Sequence, residues 1–180
     1  MNTNLFEGEL VRLSAANSEK DAEHFARWGQ DSEFLRLMDS ELALPQSVKE
    51  AKEAIVKWME TERPDAFNFL IRARDDDKPL GFIGLNGIRW NHGDTFVGIG
   101  LGEREYWGKG YGTDAMRVIL RYAFTELNLH RVSLSVFEYN PRAQRAYEKC
   151  GFRVEGRERQ LLHRDGKRYD VIFMGILKEE

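Results

Sequence analysis

The sequence predicts a mixed α/β protein whose sheet is mostly antiparallel and is flanked by helices. Three observations carry this expectation. After one short strand, helical patterning leads along the 180-residue chain, and alternating apolar segments separated by turn residues follow it. A helical segment then joins Thr95–Leu101 to Arg131–Phe137, which makes those two strands parallel neighbours. Finally, two β-rich arms flank Asp165-Gly166, a type I′ hairpin signal.

The elements follow in order. Glu9–Leu13 alternates as a short strand. Ser18 caps a helix running to about Trp28, with Asp21 in its first turn. Ser47-Val48-Lys49-Glu50 reads as a capping box, and Val48, Ala51, Ile55 and Met59 mark one face of the helix it opens. Pro64 lies just beyond the end of that helix. Phe67–Ala73 and Leu80–Ile88 flank the turn Asp75-Asp76-Asp77-Lys78-Pro79, and Asn91-His92-Gly93-Asp94 turns into Thr95–Leu101. The next helix, roughly Gly110–Leu127, aligns Met116, Ile119, Leu120, Ala123, Phe124 and Leu127. Arg131–Phe137 places Val132, Leu134 and Val136 on one face. Pro141 starts a short helix to about Lys149, and Gly151 fits its stop. The expected order is strand, two helices, three strands, helix, strand, helix, two strands.

The length suits one domain over residues 1–180, and a hydrophobic content of 42% suffices for its core. A net charge of only −3 argues against a general nucleic-acid binder. Apolar runs fall short of a membrane span. Met1–Leu5 lacks the basic and apolar regions of a secretory signal. With the single cysteine, Cys150, an internal disulfide is excluded, and a reducing, cytoplasmic location is expected. His24, His92, His130 and His163 lack metal-ligand spacing, so no metal is expected. Cys150 reads as packing. Trp28, Trp58 and Trp90 read as core or partner packing in preference to a substrate groove. Asp31, Glu33, Asp39 and Glu41 form an acidic tract, either a solvated face or an attractor for a cation.

The stretch richest in chemistry is Tyr106-Trp107-Gly108-Lys109-Gly110-Tyr111-Gly112-Thr113, between a strand and a helix. Helix-opening amides lack intrahelical partners, and with the positive end of the helix dipole they attract phosphate. Glycine lets the backbone approach such an anion closely. A phosphorylated cofactor is therefore expected there. A dinucleotide module is one alternative, with Glu138 ending the next strand, but the GxGxxG spacing is absent. No Gly-Lys-Ser/Thr follows, which excludes a P-loop.

A second motif, Asn140-Pro141-Arg142-Ala143-Gln144-Arg145-Ala146-Tyr147-Glu148-Lys149-Cys150-Gly151-Phe152, together with the glycine loop, resembles the GNAT superfamily of N-acetyltransferases. The ending Asp165-Gly166-Lys167-Arg168-Tyr169-Asp170 and Met174-Gly175-Ile176-Leu177 resembles its ribosomal-protein N-terminal acetyltransferase branch. The resemblance implies a GNAT-like fold and transfer of acetyl from acetyl-CoA to a primary amine, on a protein N-terminus or a small molecule, by direct attack. It also implies that Gly108, Lys109, Gly110, Tyr111, Gly112 and Thr113 wrap the CoA pyrophosphate. Trp107 stands where the family commonly has Gln or Arg, which leaves that contact to the backbone. Homodimers are common in this branch. A non-catalytic acyl-CoA sensor is the remaining alternative.

The same resemblance makes Tyr147 the acid that protonates the departing thiolate, since a phenol with a reference pKa of about 10 stays protonated. Spacing alone reads it as a packed aromatic. Asn140 is either a ligand of the CoA arm or a helix cap, and Arg145 either meets a CoA phosphate or is solvated. Relatives often place a glutamate on the strand of the glycine loop; here Phe96 occupies that place. Glu103, Glu105, Asp94 and Glu33 are the remaining nearby carboxylates, each read first as a solvated charge. Gly98 and Gly100 suit a strand edge approached closely by another chain.

Overall fold

The computed structural model describes residues 4–180. Met1, Asn2 and Thr3, part of the stretch read above for a secretory signal, lie outside the described residues. The elements are β1 (Val11–Ser14), α1 (Ser18–Trp28), α2 (Ser32–Met38), α3 (Val48–Ile55), β2 (Ala66–Ala73), β3 (Pro79–Arg89), β4 (Asp94–Leu101), α4 (Tyr111–Arg121), β5 (Arg131–Phe137), α5 (Pro141–Glu148), β6 (Arg153–Arg164) and β7 (Lys167–Leu177). The strands form a 7-stranded sheet in the order β1-β2-β3-β4-β5-β7-β6. Each adjacent pair is antiparallel except β4 and β5, which run parallel. The expected mixed fold is therefore present, with one helix more than the sequence pattern predicts.

That extra helix is α2. It escapes a periodicity reading because Phe34, Leu35, Leu37 and Met38 are nearly contiguous and the helix is too short to show a repeat. Its start is nonetheless encoded: the Asp31 side chain accepts from the amides of Glu33 and Phe34. Two further expectations shift. The cap of α1 is Asn17, which accepts from Glu19 and Lys20, and not Ser18. In α3 the capping box of Ser47 and Glu50 forms as predicted, but Val48 is exposed while Ala51 and Ile55 are buried.

Strand alternation divides the core between the two faces of the sheet. Ile71 and Ile83 point into a cluster with Met116 and Ile119 of α4, and Tyr147 packs against its margin. Leu70 and Phe82 point the other way, toward Trp28 of α1 and Phe34 and Met38 of α2. The buried Asp114 on α4 holds the chain entering β1, accepting from the amides of Glu9 (3.1 Å), Leu10 (2.8 Å) and Val11 (3.0 Å). At the far end, Asp165 (φ 48°) and Gly166 (φ 74°) form the left-handed two-residue turn that the Asp-Gly pair demands.

Asp114 gathers all three amides, and the Val11 amide among them is buried, where water cannot readily replace the carboxylate. Asp114→Ala should lower unfolding stability by about 3 kcal/mol, because charge-assisted bonds are lost and the buried Val11 donor is orphaned. Urea denaturation checks this; a change below about 0.5 kcal/mol, typical of a surface substitution, would contradict it.

Candidate active site

The site begins where the sheet opens. Parallel pairing of β4 and β5 covers only Asp94↔Arg131, Thr95↔Val132 and Phe96↔Ser133. Beyond Phe96, β4 continues to Leu101 paired with β3 on its other side. Meanwhile β5 pairs with β7 along its whole length. The two strands therefore splay apart after Phe96 and Ser133.

Past Leu101 the chain is held by a half-buried anchor. Glu103, whose side chain is only 12% exposed, accepts from the indole Nε1 of Trp28 at 2.8 Å and pairs with Arg27 and with Lys78 (3.3 Å). Burial alone would raise its pKa, but the bonds from Trp28 and Arg27 and the neighbouring cations hold it below the usual carboxylate value. This corrects the reading of Glu103 as a solvated charge. Trp107 then turns the chain back, its Nε1 donating to the Leu101 carbonyl at 2.7 Å. Gly108 (φ 74°) and Gly110 (φ 93°) take left-handed conformations that other residues resist. Gly110 immediately precedes α4, and no side chain caps that helix, so its first amides face the cavity without a side-chain partner.

On α5, Asn140 acts as the helix cap, its Oδ1 accepting from the Ala143 amide at 3.2 Å, with Pro141 in the first turn. Tyr147 lies seven residues further along; burial pushes its phenol up to about 12, so it carries its proton across any working pH. The Cys150 thiol sits 3.5 Å from the Thr113 carbonyl, and burial raises its pKa too, which suits packing and not nucleophilic work.

These pieces enclose a cavity of about 290 Å³. Trp107, Gly108, Gly110, Gly112, Thr113, Asn140, Arg145 and Tyr147, all singled out from sequence, line it together. Lys109 and Tyr111 do not: Lys109 is exposed, and the Tyr111 ring packs edge-on against Tyr106 at 4.8 Å. Sequence reasoning missed Phe34, Leu37 and Met38 of α2, and Arg142. Arg142 stands within the recognised motif, yet its role shows only in space. Its guanidinium lies 3.9 Å over the Trp107 ring, and burial draws its pKa below the usual arginine value. Since α2 covers one face of the sheet and α5 the other, the cavity runs through the gap between β4 and β5.

None of the carboxylates considered as bases stands free. Asp94 is bound by Arg89, whose hydrogen bond lowers its pKa. Glu105 pairs with Lys78. Arg104 clasps both Asp31 (2.6 Å) and Glu33 (2.7 Å), which accounts for half of the acidic tract. Among the described residues, no group of histidine, cysteine and acidic side chains could hold a metal ion. No helix among the described residues is long and apolar enough to cross a membrane.

The family model described as an acetyltransferase (GNAT) domain matches residues 11–153. The chain belongs to the GNAT acetyltransferase family. It is an acetyl-CoA-dependent N-acetyltransferase. A prophage-derived uncharacterised N-acetyltransferase of Bacillus subtilis is 32% identical over 151 residues, covering 83% of this chain and 81% of that one. A putative ribosomal N-acetyltransferase of the same organism is 28% identical over 136 residues, covering 76% of this chain and 74% of its own length. The spermidine N-acetyltransferase of Vibrio cholerae, solved in complex with CoA and spermine, superposes with a TM-score of 0.82 at 26% identity, covering 94% of this chain and 96% of that one.

Proposed function

We propose that this enzyme acetylates a primary amine by direct attack on acetyl-CoA, with the donor and the acceptor meeting in the gap between β4 and β5. The observation that carries the reading is a single cavity lined by uncapped helix amides, by the α5 motif and, from the opposite face, by α2. The amides of the Gly108–Thr113 loop suit the diphosphate, and Arg145 and Arg142 add positive charge beside it. The edge of β4 freed beyond Phe96 offers main-chain groups to an extended pantetheine arm. Acetyl-CoA supplies the thioester carbonyl that the amine attacks.

The residues then divide the work. Tyr147 donates its proton to the sulfur that leaves, a role its high pKa allows because the phenol is never spent by ionisation beforehand. A β4 amide near the splay supplies the hydrogen bond that the carbonyl oxygen needs as it gains charge. The neutral amine attacks without a dedicated carboxylate base, since Asp94, Glu103, Glu105 and Glu33 are all tied to cations; water carries off its proton. The amine's identity is left to relatives. A spermidine N(1)-acetyltransferase of Vibrio cholerae, 40% identical over 101 residues and covering 56% of this chain and 58% of that one, favours a polyamine. The putative ribosomal N-acetyltransferase relative favours a protein N-terminus.

Three outcomes test this reading. Tyr147→Phe should cut kcat by roughly 10- to 100-fold while calorimetry records unchanged CoA affinity; unaltered turnover would remove Tyr147 from the chemistry. Gly110→Val should abolish CoA binding, since a β-branched residue resists φ 93° and would shift the loop backbone that presents the amides. Retained affinity in a folded variant would move the diphosphate elsewhere. The pH profile of kcat/KM should climb about tenfold per pH unit until the acceptor amine's own pKa, with no alkaline decline below about pH 10. A bell centred near neutrality would instead reveal a base on the protein.

A further inference from the structure

The cavity wall made by α2 lies on the sheet face opposite α5 and the glycine loop, which makes it the acceptor side of the site proposed above, and it hangs from a distant hairpin. Helix α2 contributes Phe34, Leu37 and Met38 to the lining, and the Met38 sulfur packs so closely on Gly100 of β4 that a Cβ there would lie 2.6 Å from it. Yet α2 spans only 7 residues, and Phe34 is the residue it buries. A helix this short has little stability of its own. What holds its end comes from the C-terminal hairpin. The Arg164 Nη2 donates to the carbonyls of Asp39 (3.2 Å), Ser40 (2.7 Å) and Glu41 (3.0 Å), the segment by which the chain leaves α2. The next residue, Asp165, accepts from Arg36 Nη2 at 2.7 Å. Tyr139, just past β5, donates from its phenol to the Arg36 carbonyl at 2.6 Å, and Arg164 lies against that same phenol.

We propose that Arg164 is a positioning residue that sets the acceptor-side wall of the cavity by fastening the end of α2 to the β6–β7 hairpin. The proposal rests on the reading of this cavity as the acetyl-transfer site. One guanidinium nitrogen, Nη2, meets all three carbonyls, and the rigid planar group holds that nitrogen in the turn, where an ammonium would sit on a flexible stem. A register shift between Glu158 and Leu162, with Gln160 at φ 56°, breaks the regular β6–β7 ladder before Arg164, so the hairpin tip is set separately from the strand base. The glycine loop and α5 receive no hydrogen bond from Arg164, so donor binding should be insulated from it.

The test combines hydrogen exchange with steady-state kinetics on Arg164→Ala and Arg164→Lys, using acetyl-CoA with spermidine and with an alanine-initiated peptide as acceptors. In Arg164→Ala, amides of residues 33–41 should exchange at least about tenfold faster, as expected for losing charge-assisted carbonyl contacts, with exchange in α4 and α5 unchanged. The KM of whichever amine the wild type acetylates should rise roughly tenfold, the KM of acetyl-CoA should stay within about twofold, and Arg164→Lys should fall between. Should Arg164→Ala fail to fold, Asp165→Asn carries the test: asparagine tolerates the turn's left-handed conformation but frees Arg36, and the same exchange and KM changes should appear at smaller size. Unchanged exchange over residues 33–41, or equal rises in both KM values, would overturn the proposal. If neither amine is acetylated by the wild type, the proposed acceptor classes fail, while the exchange data still decide whether Arg164 holds α2.

Discussion

The constraint on which the rest of this structure depends is that β4 and β5 can pair only at their starts. Each has another partner: β4 stays with β3 to Leu101, and β5 stays with β7 to Phe137. After Phe96 and Ser133 the two strands part, and a mostly antiparallel sheet that would otherwise be continuous acquires a slot. Main-chain polar groups at such an opening are costly unless something meets them. Trp107 answers part of that demand by donating to the Leu101 carbonyl, and the extended arm proposed to lie there answers more of it. The slot also explains how two helices on opposite faces, α2 and α5, come to line one cavity.

Around that opening the protein invests its polar groups in holding backbone and leaves few for chemistry. Glu103, half-buried, is bound by Trp28, Arg27 and Lys78, and it fixes the exit of β4 just ahead of the glycine loop. Asp114 secures the chain entering β1 from the other side of α4. Arg104 joins Asp31 and Glu33 at the start of α2, while Arg164 secures its end. Acetyl transfer needs positioning and one available proton more than it needs a charged base, and the distribution of paired carboxylates matches that economy.

Much of this was legible in the sequence because the relevant signals are local. Gly108, Gly110 and Gly112 between a strand and a helix point to an anion loop through backbone physics alone, and the Asp165-Gly166 turn and the Ser47–Glu50 capping box form as their chemistry requires. The motif from Asn140 to Phe152 located Tyr147 and Asn140. What stayed hidden was non-local or too short to repeat. Helix α2 has no room to display a period, so the wall made by Phe34, Leu37 and Met38 was invisible. Arg142 looked like any helix arginine until Trp107 was seen beneath it. Glu103 looked like a surface acid because its three partners lie far away in the sequence, on α1 and in the turn between β2 and β3. Conversely, Lys109 and Tyr111 belong to the loop by pattern, yet their side chains turn away from the cavity.

The account stands or falls on where CoA lies. An amide-resolved NMR titration of the protein with CoA reads this directly. Large shifts confined to the Gly108–Thr113 loop, the β4 edge from Val97 to Leu101 and the start of α5 are the predicted result. Shifts clustered on another surface, with those segments silent at saturation, would contradict it.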